Sequence, residues 1–292
     1  MTQTLDTVTS ADGTAIAFER SGDGPPVILI GGAFNDRSTV AGLASALAPR
    51  FTAVTSDRRG RGDSTDNSAS SGKSASAGNS ASPGNSASTD NSASAATSVG
   101  REIEDLVALI DRLGGSASLF GHSSGACLAL EAAMAGAAAT RVVVYEPPYV
   151  LDDARPRPGD DIGDRLRALI ALGQRDEAVA LFMTESVGVP AEMVRAMQAG
   201  GGWGFLVRLA HTLPYDAAVC GSGLAIPADR LAELRVPVLA VNGSESWPWI
   251  AASTQAVADA VPESRYVSLE GQDHSVLHHP EALCPVLVDF LS

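Results

Sequence analysis

Apolar residues recur along this chain with two periods, and the alternation between them predicts a succession of strands and helices. Residues 15–20 alternate apolar and polar side chains as a strand does, and Gly22-Asp23-Gly24-Pro25-Pro26 then breaks the chain into a turn. Residues 27–30 are apolar without interruption, the pattern of a strand covered on both faces of a parallel sheet. Ser38 is placed to cap a helix that carries Val40, Leu43 and Leu47 on one face, and residues 51–56 form the next strand. Further on, Ile103, Leu106, Val107, Ile110 and Leu113 share a helical face, with Glu102, Glu104, Asp105 and Asp111 available to solvent. Residues 117–120 and 141–145 read as buried strands around a helix of small residues over 124–137. From 151 to 235 the strand signal disappears, and short helices are expected at 165–172, 176–184, 191–199 and 205–213. Strand and helix then return at 238–241, 253–260, 265–269 and 280–291, the last with Pro280 in its first turn. This is an α/β fold: a mostly parallel sheet with helices on both faces, interrupted late by a helical insertion. Its core is expected over 1–150 and 236–292, and its insertion over 151–235.

Residues 64–98 depart from this pattern. Asn-Ser-Ala-Ser occurs at 67–70, 79–82, 85–88 and 91–94, the last three at a spacing of six. Ala is the largest apolar side chain on offer, too small to fill the stacked interior that six-residue spacing would need in a β-helix. The segment is therefore expected to be a disordered repeat inserted in a surface loop, where extra length costs little closure entropy.

Composition narrows the function classes. The chain has 292 residues, 45% apolar, enough for one large core with a subdomain. A net charge of −14 argues against nucleic-acid binding, which needs clustered Lys and Arg. Cys127, Cys220 and Cys284 are three and widely spaced, which suggests neither a disulfide framework nor a zinc site. No metal site or dinucleotide fingerprint is apparent, so no cofactor is expected. The polar first ten residues lack a signal-peptide core, and no apolar run approaches the roughly 18 residues of a membrane span. A cytoplasmic protein follows as the expectation, and nineteen Arg against one Lys suggest a GC-rich bacterial source.

The candidate chemistry centres on Gly121-His122-Ser123-Ser124-Gly125, a G-x-S-x-G sequence lying directly after one expected strand and before a helix. Such a turn needs glycine two positions either side of the serine, because a Cβ there would collide with neighbouring backbone. The serine hydroxyl then projects into a cleft while the helix N-terminus offers N–H groups to an oxyanion. Ser123 is the candidate nucleophile; the competing reading is an ordinary glycine-rich strand-to-helix turn. Among the histidines, His122 flanks the serine and His211 falls in the helical insertion. His278 and His279 stand at the start of the last helix, as surface or packing residues. His274, in Gly271-Gln272-Asp273-His274 after the strand at 265–269, is the preferred general base.

These motifs resemble those of the α/β-hydrolase superfamily, in particular its bacterial cap-bearing esterase, lipase and haloperoxidase-like members. Asp57-Arg58-Arg59-Gly60-Arg61-Gly62-Asp63-Ser64 is similar to the family's D-x-R-G-x-G-x-S loop, and Gly271–His274 to its G-x-x-H loop. The likeness covers residues 12–63 and 99–292. It implies an eight-stranded sheet with a helical cap over the active site. Two departures bear on chemistry. The family's His-Gly after the third strand is Gly31-Gly32 here, but an oxyanion hole uses backbone N–H groups, so Ala33 and Ser124 can still supply them. The family's acid in G-x-x-D is replaced, since Gly243-Ser244-Glu245-Ser246 carries a neutral serine there. Glu146, in Tyr145-Glu146-Pro147-Pro148 after the strand at 141–145, could orient His274; so could Glu245, or no acid at all.

The resemblance implies a serine hydrolase of a small-molecule acyl substrate, a carboxylic ester, lactone or thioester. Alternatives on the same fold are a lyase, C–C hydrolase or cyclisation catalyst, and a non-catalytic ligand-binding protein. Trp203, Phe205, Leu206, Leu209, Leu213 and Tyr215 are expected to form the cap's own core or an apolar entrance. Trp247 and Trp249 either border the site or pack beneath the cap. The sequence leaves the oligomeric state open.

Overall fold

The computed structural model describes residues 5–67, 89–151 and 154–292, with the backbone alone over 89–97. Eight strands form one sheet: β1 (Leu5–Thr9), β2 (Ala15–Ser21), β3 (Pro26–Ile30), β4 (Thr52–Ser56), β5 (Ala117–His122), β6 (Ala139–Tyr145), β7 (Val238–Gly243) and β8 (Ser264–Leu269). Their order is β1-β2-β4-β3-β5-β6-β7-β8. β1 and β2 pair antiparallel, β2 also joins β4 antiparallel, and every later pairing is parallel. Seven of these strands coincide with the apolar runs of the sequence. β1 does not, because an edge strand with one neighbour needs no continuous apolar run and alternates between exposed and half-buried positions.

The period of two sorts the parallel strands into two cores. Ile28 and Ile30 of β3 and Val142 and Val144 of β6 face one side, against α2 (Thr89–Arg112), α3 (Ser124–Met134) and α10 (Pro248–Ala260). Val27, Leu29, Val143 and Tyr145 face the other, against α1 (Ala41–Leu47) and α11 (Pro280–Leu291). The turn before α1 is a 3₁₀ turn, Arg37–Val40, capped by Asp36, whose Oδ1 accepts from Ser38 N at 2.9 Å. Ser38, the expected cap, is thus inside the turn and bonded to the residue that caps it.

Between β6 and β7 the chain is helical: α4 (Ile162–Ala171), α5 (Arg175–Leu181), α6 (Ala191–Gln198), α7 (Trp203–Leu209), α8 (Leu213–Val219) and α9 (Ala228–Leu231). A π-helical turn, Phe182–Val187, follows α5 and stops at Gly188 in the left-handed region. Leu166, Val179, Phe182, Trp203 and Leu213 form a third apolar cluster, which Phe34 joins from the loop after β3.

The boundaries of the expected repeat insert, 64–98, need correcting at both ends. Ser64 is part of the ordered loop after β4: its Oγ donates to Asp57 O at 2.7 Å, and Thr65 N donates to Ala15 O at 2.9 Å. At the other end α2 begins at Thr89, ten residues before the apolar periodicity starts at Val99. The helix there extends beyond the stripe that packs it. Residues 68–88, which hold the rest of the repeat, lie outside the described residues. Among the described residues no helix is long and apolar enough to cross a membrane.

Candidate active site

Five loops at the carboxyl ends of parallel strands converge on one cavity: those after β3, β5, β6, β7 and β8. That end of an open parallel sheet is where neighbouring loops leave room for a ligand. The loop after β5 is the sharpest. Ser123 has φ 57° and ψ −123°, a strained conformation for a side-chain-bearing residue, and α3 starts at the next position. A Cβ on Gly121 would lie 2.2 Å from Gly125 O, and one on Gly125 would lie 2.4 Å from Ile30 O. The two glycines are therefore fixed by backbone contact, and the turn could not close without them. The strain is held by the pairing around it, including Ser123 N to Tyr145 O at 2.9 Å.

Of the two candidate carboxylates, one lies against His274. His274 Nδ1 stands 2.6 Å from Glu146 Oε2. Glu146 is completely buried on a left-handed backbone, φ 51°, while its N–H still donates to Val241 O at 3.0 Å on β7. Its other oxygen, Oε1, accepts from Gly243 N at 2.8 Å and from the Ser246 hydroxyl. Ser246, at the place of the acid in the family's G-x-x-D motif, thus donates to Glu146. Glu245 is not brought to His274. It is exposed, in a tight turn closed by Ser246 N to Gly243 O at 3.2 Å, and that turn directs its side chain away.

Ser123 and His274 line the same cavity, and no hydrogen bond joins their side chains. His274 is held instead through its backbone and its Nδ1. His122 Nε2 lies 2.8 Å from His274 O; because a carbonyl only accepts, Nε2 carries the proton and Nδ1 is the bare nitrogen. Burial, reinforced by the nearby His274, lowers the His122 pKa to about 3, so its ring stays neutral. The Tyr145 hydroxyl donates to Asp273 O at 2.7 Å. Two side chains at the ends of adjacent strands therefore tie down consecutive carbonyls of the loop that presents His274.

Ala33 and Ser124 also border the cavity. Gly32 N is engaged by Asn35 Oδ1 at 2.9 Å, which leaves the Ala33 N–H among the donors this loop can offer. The cavity, about 300 Å³, is walled mainly by apolar side chains, among them Phe34, Ile162, Phe182, Trp247, Trp249 and Leu277. Trp247 and Trp249 do border the site, their rings stacked at 6.1 Å. The insertion's expected cluster does not: Trp203, Leu209 and Leu213 are buried in its own core, and Phe205 is partly exposed. His278, expected as a surface or packing residue, is exposed and also reaches the cavity rim. His211 Nε2 meets Gly60 O at 2.7 Å and joins the insertion to the loop after β4.

Sequence reasoning missed Arg58, Arg61 and Asp216 and placed Glu102 and Asp105 toward solvent, whereas both are buried on arginines; Arg58, Arg61, Glu102 and Asp216 form a buried ionic cluster beside Ser124. Arg58 and Arg61 occupy the variable positions of D-x-R-G-x-G, and Asp216 falls in a short helix with no motif. Only an unusual pair of arginines in that loop pointed to it.

A sheet of this order, a strained serine at the β5–α3 turn and a carboxylate-bound histidine after the last strand define a class, and sequence comparison agrees. The alpha/beta hydrolase family matches residues 23–286, and the chain belongs to that family. Its fold is similar to that of an alpha/beta hydrolase from Sphaerobacter thermophilus DSM 20745, at 47% identity and TM-score 0.81, over 98% of this chain and 100% of that one. A 2-hydroxy-6-oxo-6-phenylhexa-2,4-dienoate hydrolase from Rhodococcus sp. strain RHA1 shares the fold at 19% identity and TM-score 0.65, over 100% of both chains. An esterase from Rhodococcus sp. ECU1013 does so at 18% identity and TM-score 0.63, over 98% of each. No curated protein sequence matches the chain.

Proposed function

We propose that this protein is a serine hydrolase acting on a small or medium acyl compound, a carboxylic ester, lactone or thioester. The observation that carries the reading is the Glu146–His274 pair at 2.6 Å, on the rim of the cavity that Ser123 enters. Ser123 Oγ attacks the substrate carbonyl as His274 Nε2 takes its proton, and the C=O becomes an oxyanion held by the Ala33 and Ser124 N–H groups. His274 returns the proton to the leaving oxygen or sulfur as that bond breaks. Water, activated by the same imidazole, then cleaves the acyl-enzyme to a carboxylic acid and restores the Ser123 hydroxyl. Glu146 keeps the proton-bearing nitrogen at Nδ1 and stabilises the imidazolium, which neutral Ser246 could not do. The helical insertion acts as the cap, with Ile162, Phe182, Met183 and Leu224 contributing to the walls that select the acyl group.

The altered position of the acid is the ground for a lyase, C–C hydrolase or cyclisation reading on the same fold; a carboxylate within hydrogen-bond reach of His274 supports the acyl-hydrolase reading over it. A binding protein has no use for a strained serine in the same cavity as a carboxylate-bound histidine. The test is labelling by a fluorophosphonate together with hydrolysis of p-nitrophenyl butyrate. Wild type is expected to label and turn over, and Ser123→Ala to do neither. A Ser123→Ala protein that keeps its esterase activity sinks the proposal.

A further inference from the structure

Beside the Ser123 elbow lies a group of buried charges that takes no part in the steps above. Arg58 and Arg61 come from the loop after β4, Glu102 from α2 and Asp216 from α8 of the insertion. Arg58 holds Glu102 through Nε at 2.6 Å and Nη2 at 2.8 Å, and reaches Asp216 Oδ1 through Nη1 at 2.7 Å. Arg61 Nη2 donates to both Asp216 oxygens, at 2.9 and 2.8 Å. Two cations thus face two anions. Burial by itself would raise the Asp216 carboxyl, but Arg61 and Arg58 outweigh it and hold the group below its ordinary value. Asp216 borders the cavity, yet its charge is fully engaged by these partners. It is no anchor for a cationic substrate.

The cluster touches both sides of the candidate oxyanion position, the Ser124 side chain on one and backbone carbonyls of the β3 loop on the other. On one side, Ser124 Oγ donates to Asp216 Oδ1 at 2.7 Å, so the first residue of α3 is tied to the insertion. On the other, Arg61 Nη1 donates to Gly32 O at 2.6 Å and to Asn35 O at 3.1 Å. Gly32 O and the Ala33 N–H belong to one peptide unit. In a trans peptide they lie in one plane and point opposite ways, so a guanidinium that fixes the carbonyl fixes the direction of the N–H. Arg61 is in turn held in place by Asp216.

We infer that Asp216 is a positioning residue: through Arg61 this carboxylate of the insertion aims the Ala33 N–H of the oxyanion hole, and through the Ser124 hydroxyl it anchors the residue that carries the second donor. The insertion then does more than wall the substrate pocket. Its docking on the core sets the geometry that stabilises the tetrahedral intermediate. The assignment rests on the serine-hydrolase reading and on Ala33 and Ser124 as donors.

The test compares wild type, Asp216→Asn, Ser124→Ala and Ser123→Ala. The measurements are kcat and KM on p-nitrophenyl butyrate, affinity for butaneboronic acid as a tetrahedral mimic, affinity for butyrate as a ground-state ligand, and thermal unfolding. Losing one oxyanion donor outright costs about 10²–10³ in rate, so misaiming one and loosening the residue of the other should cost about tenfold to a hundredfold. Asp216→Asn is expected to lower kcat and boronate affinity by the same factor, with KM and butyrate affinity within about threefold. Ser124→Ala keeps the backbone N–H and loses only its hydroxyl's ties to Asp216 and Arg58, so it should fall in the same direction by a smaller factor; it decides the matter if Asp216→Asn does not fold. Wild-type kcat in both variants, with Ser123→Ala inactive, overturns the inference and leaves the hydrolase reading standing. Equal losses of butyrate and boronate affinity also overturn it, since they mean a collapsed cavity. An active Ser123→Ala overturns the reading beneath it.

Discussion

At the scale of single residues, the proposed acid, Glu146, stands away from the place that the family's motif gives it. Glu146 leaves β6 with φ 51°, and burial of its carboxylate is compensated by three donors: His274 Nδ1, Gly243 N and the Ser246 hydroxyl. Glu146→Gln removes the charge that stabilises the imidazolium while keeping the side chain's shape. It should lower kcat by about 10³–10⁴, the scale of losing the acid in such triads, as read in steady-state kinetics. Because Ser246 already reaches Oε1, an aspartate at 246 is placed to stand in for the missing carboxylate. The Glu146→Ala/Ser246→Asp double variant should regain at least about tenfold in kcat over Glu146→Ala alone. No gain would mean that only the β6 position can serve His274. The sequence exposed the vacancy at 246 and named Glu146 among the substitutes. It could not choose, because the choice depends on which strand ends lie side by side.

Elements set how firmly the base is presented. The loop after β8 is pinned from three strands: Ser244 N to Leu269 O at 2.9 Å and Glu245 N to Gln272 O at 2.8 Å from β7's end, with the Tyr145 hydroxyl from β6 and the His122 imidazole from β5. Gly243 is the tightest point. A Cβ there would sit 2.1 Å from Gln272 O, a backbone atom with no freedom to swing away. Gly243→Ala should therefore push this loop outward, moving His274 two residues on. The expected outcome is at least about a tenfold loss in kcat and about 1–3 kcal/mol in stability, from kinetics and urea unfolding on the same protein. A variant that loses stability but keeps its kcat would show that the loop does not depend on this contact. The strand Val238–Gly243 was legible from its apolar residues, whereas its close approach to the β8 loop was not: a glycine in a strand end reads equally as a turn signal.

Across the whole molecule, the buried ions join parts that the chain keeps far apart. Glu102 on α2 and Asp216 on α8 meet on Arg58, so the core helix and the insertion share one guanidinium. Removing one member of a buried ionic group leaves its partner desolvated and unpaired, at a cost of roughly 3–5 kcal/mol. Glu102→Gln is expected to destabilise the protein on that scale in denaturant unfolding. A loss under about 1 kcal/mol would indicate that Arg58 is served well enough by Asp216 alone. The insertion adds its own apolar core, which Phe34 enters from the β3 loop, so its attachment is partly ionic and partly hydrophobic.

By itself the sequence determined the parallel sheet, the G-x-S-x-G turn and the histidine after the last strand, because each of these is written in local pattern: apolar period, glycine spacing, order along the chain. Even the strained turn at Ser123 follows from residues within two positions of it. The tertiary structure alone decided the rest. It brought Glu146 to His274 across 128 positions, sent Glu245 to solvent, and gathered Arg58, Arg61, Glu102 and Asp216 beside the serine. The physical reason is common to all three. The value of a charge depends on what surrounds it once water is excluded, and those surroundings exist only after distant strand ends have been packed side by side.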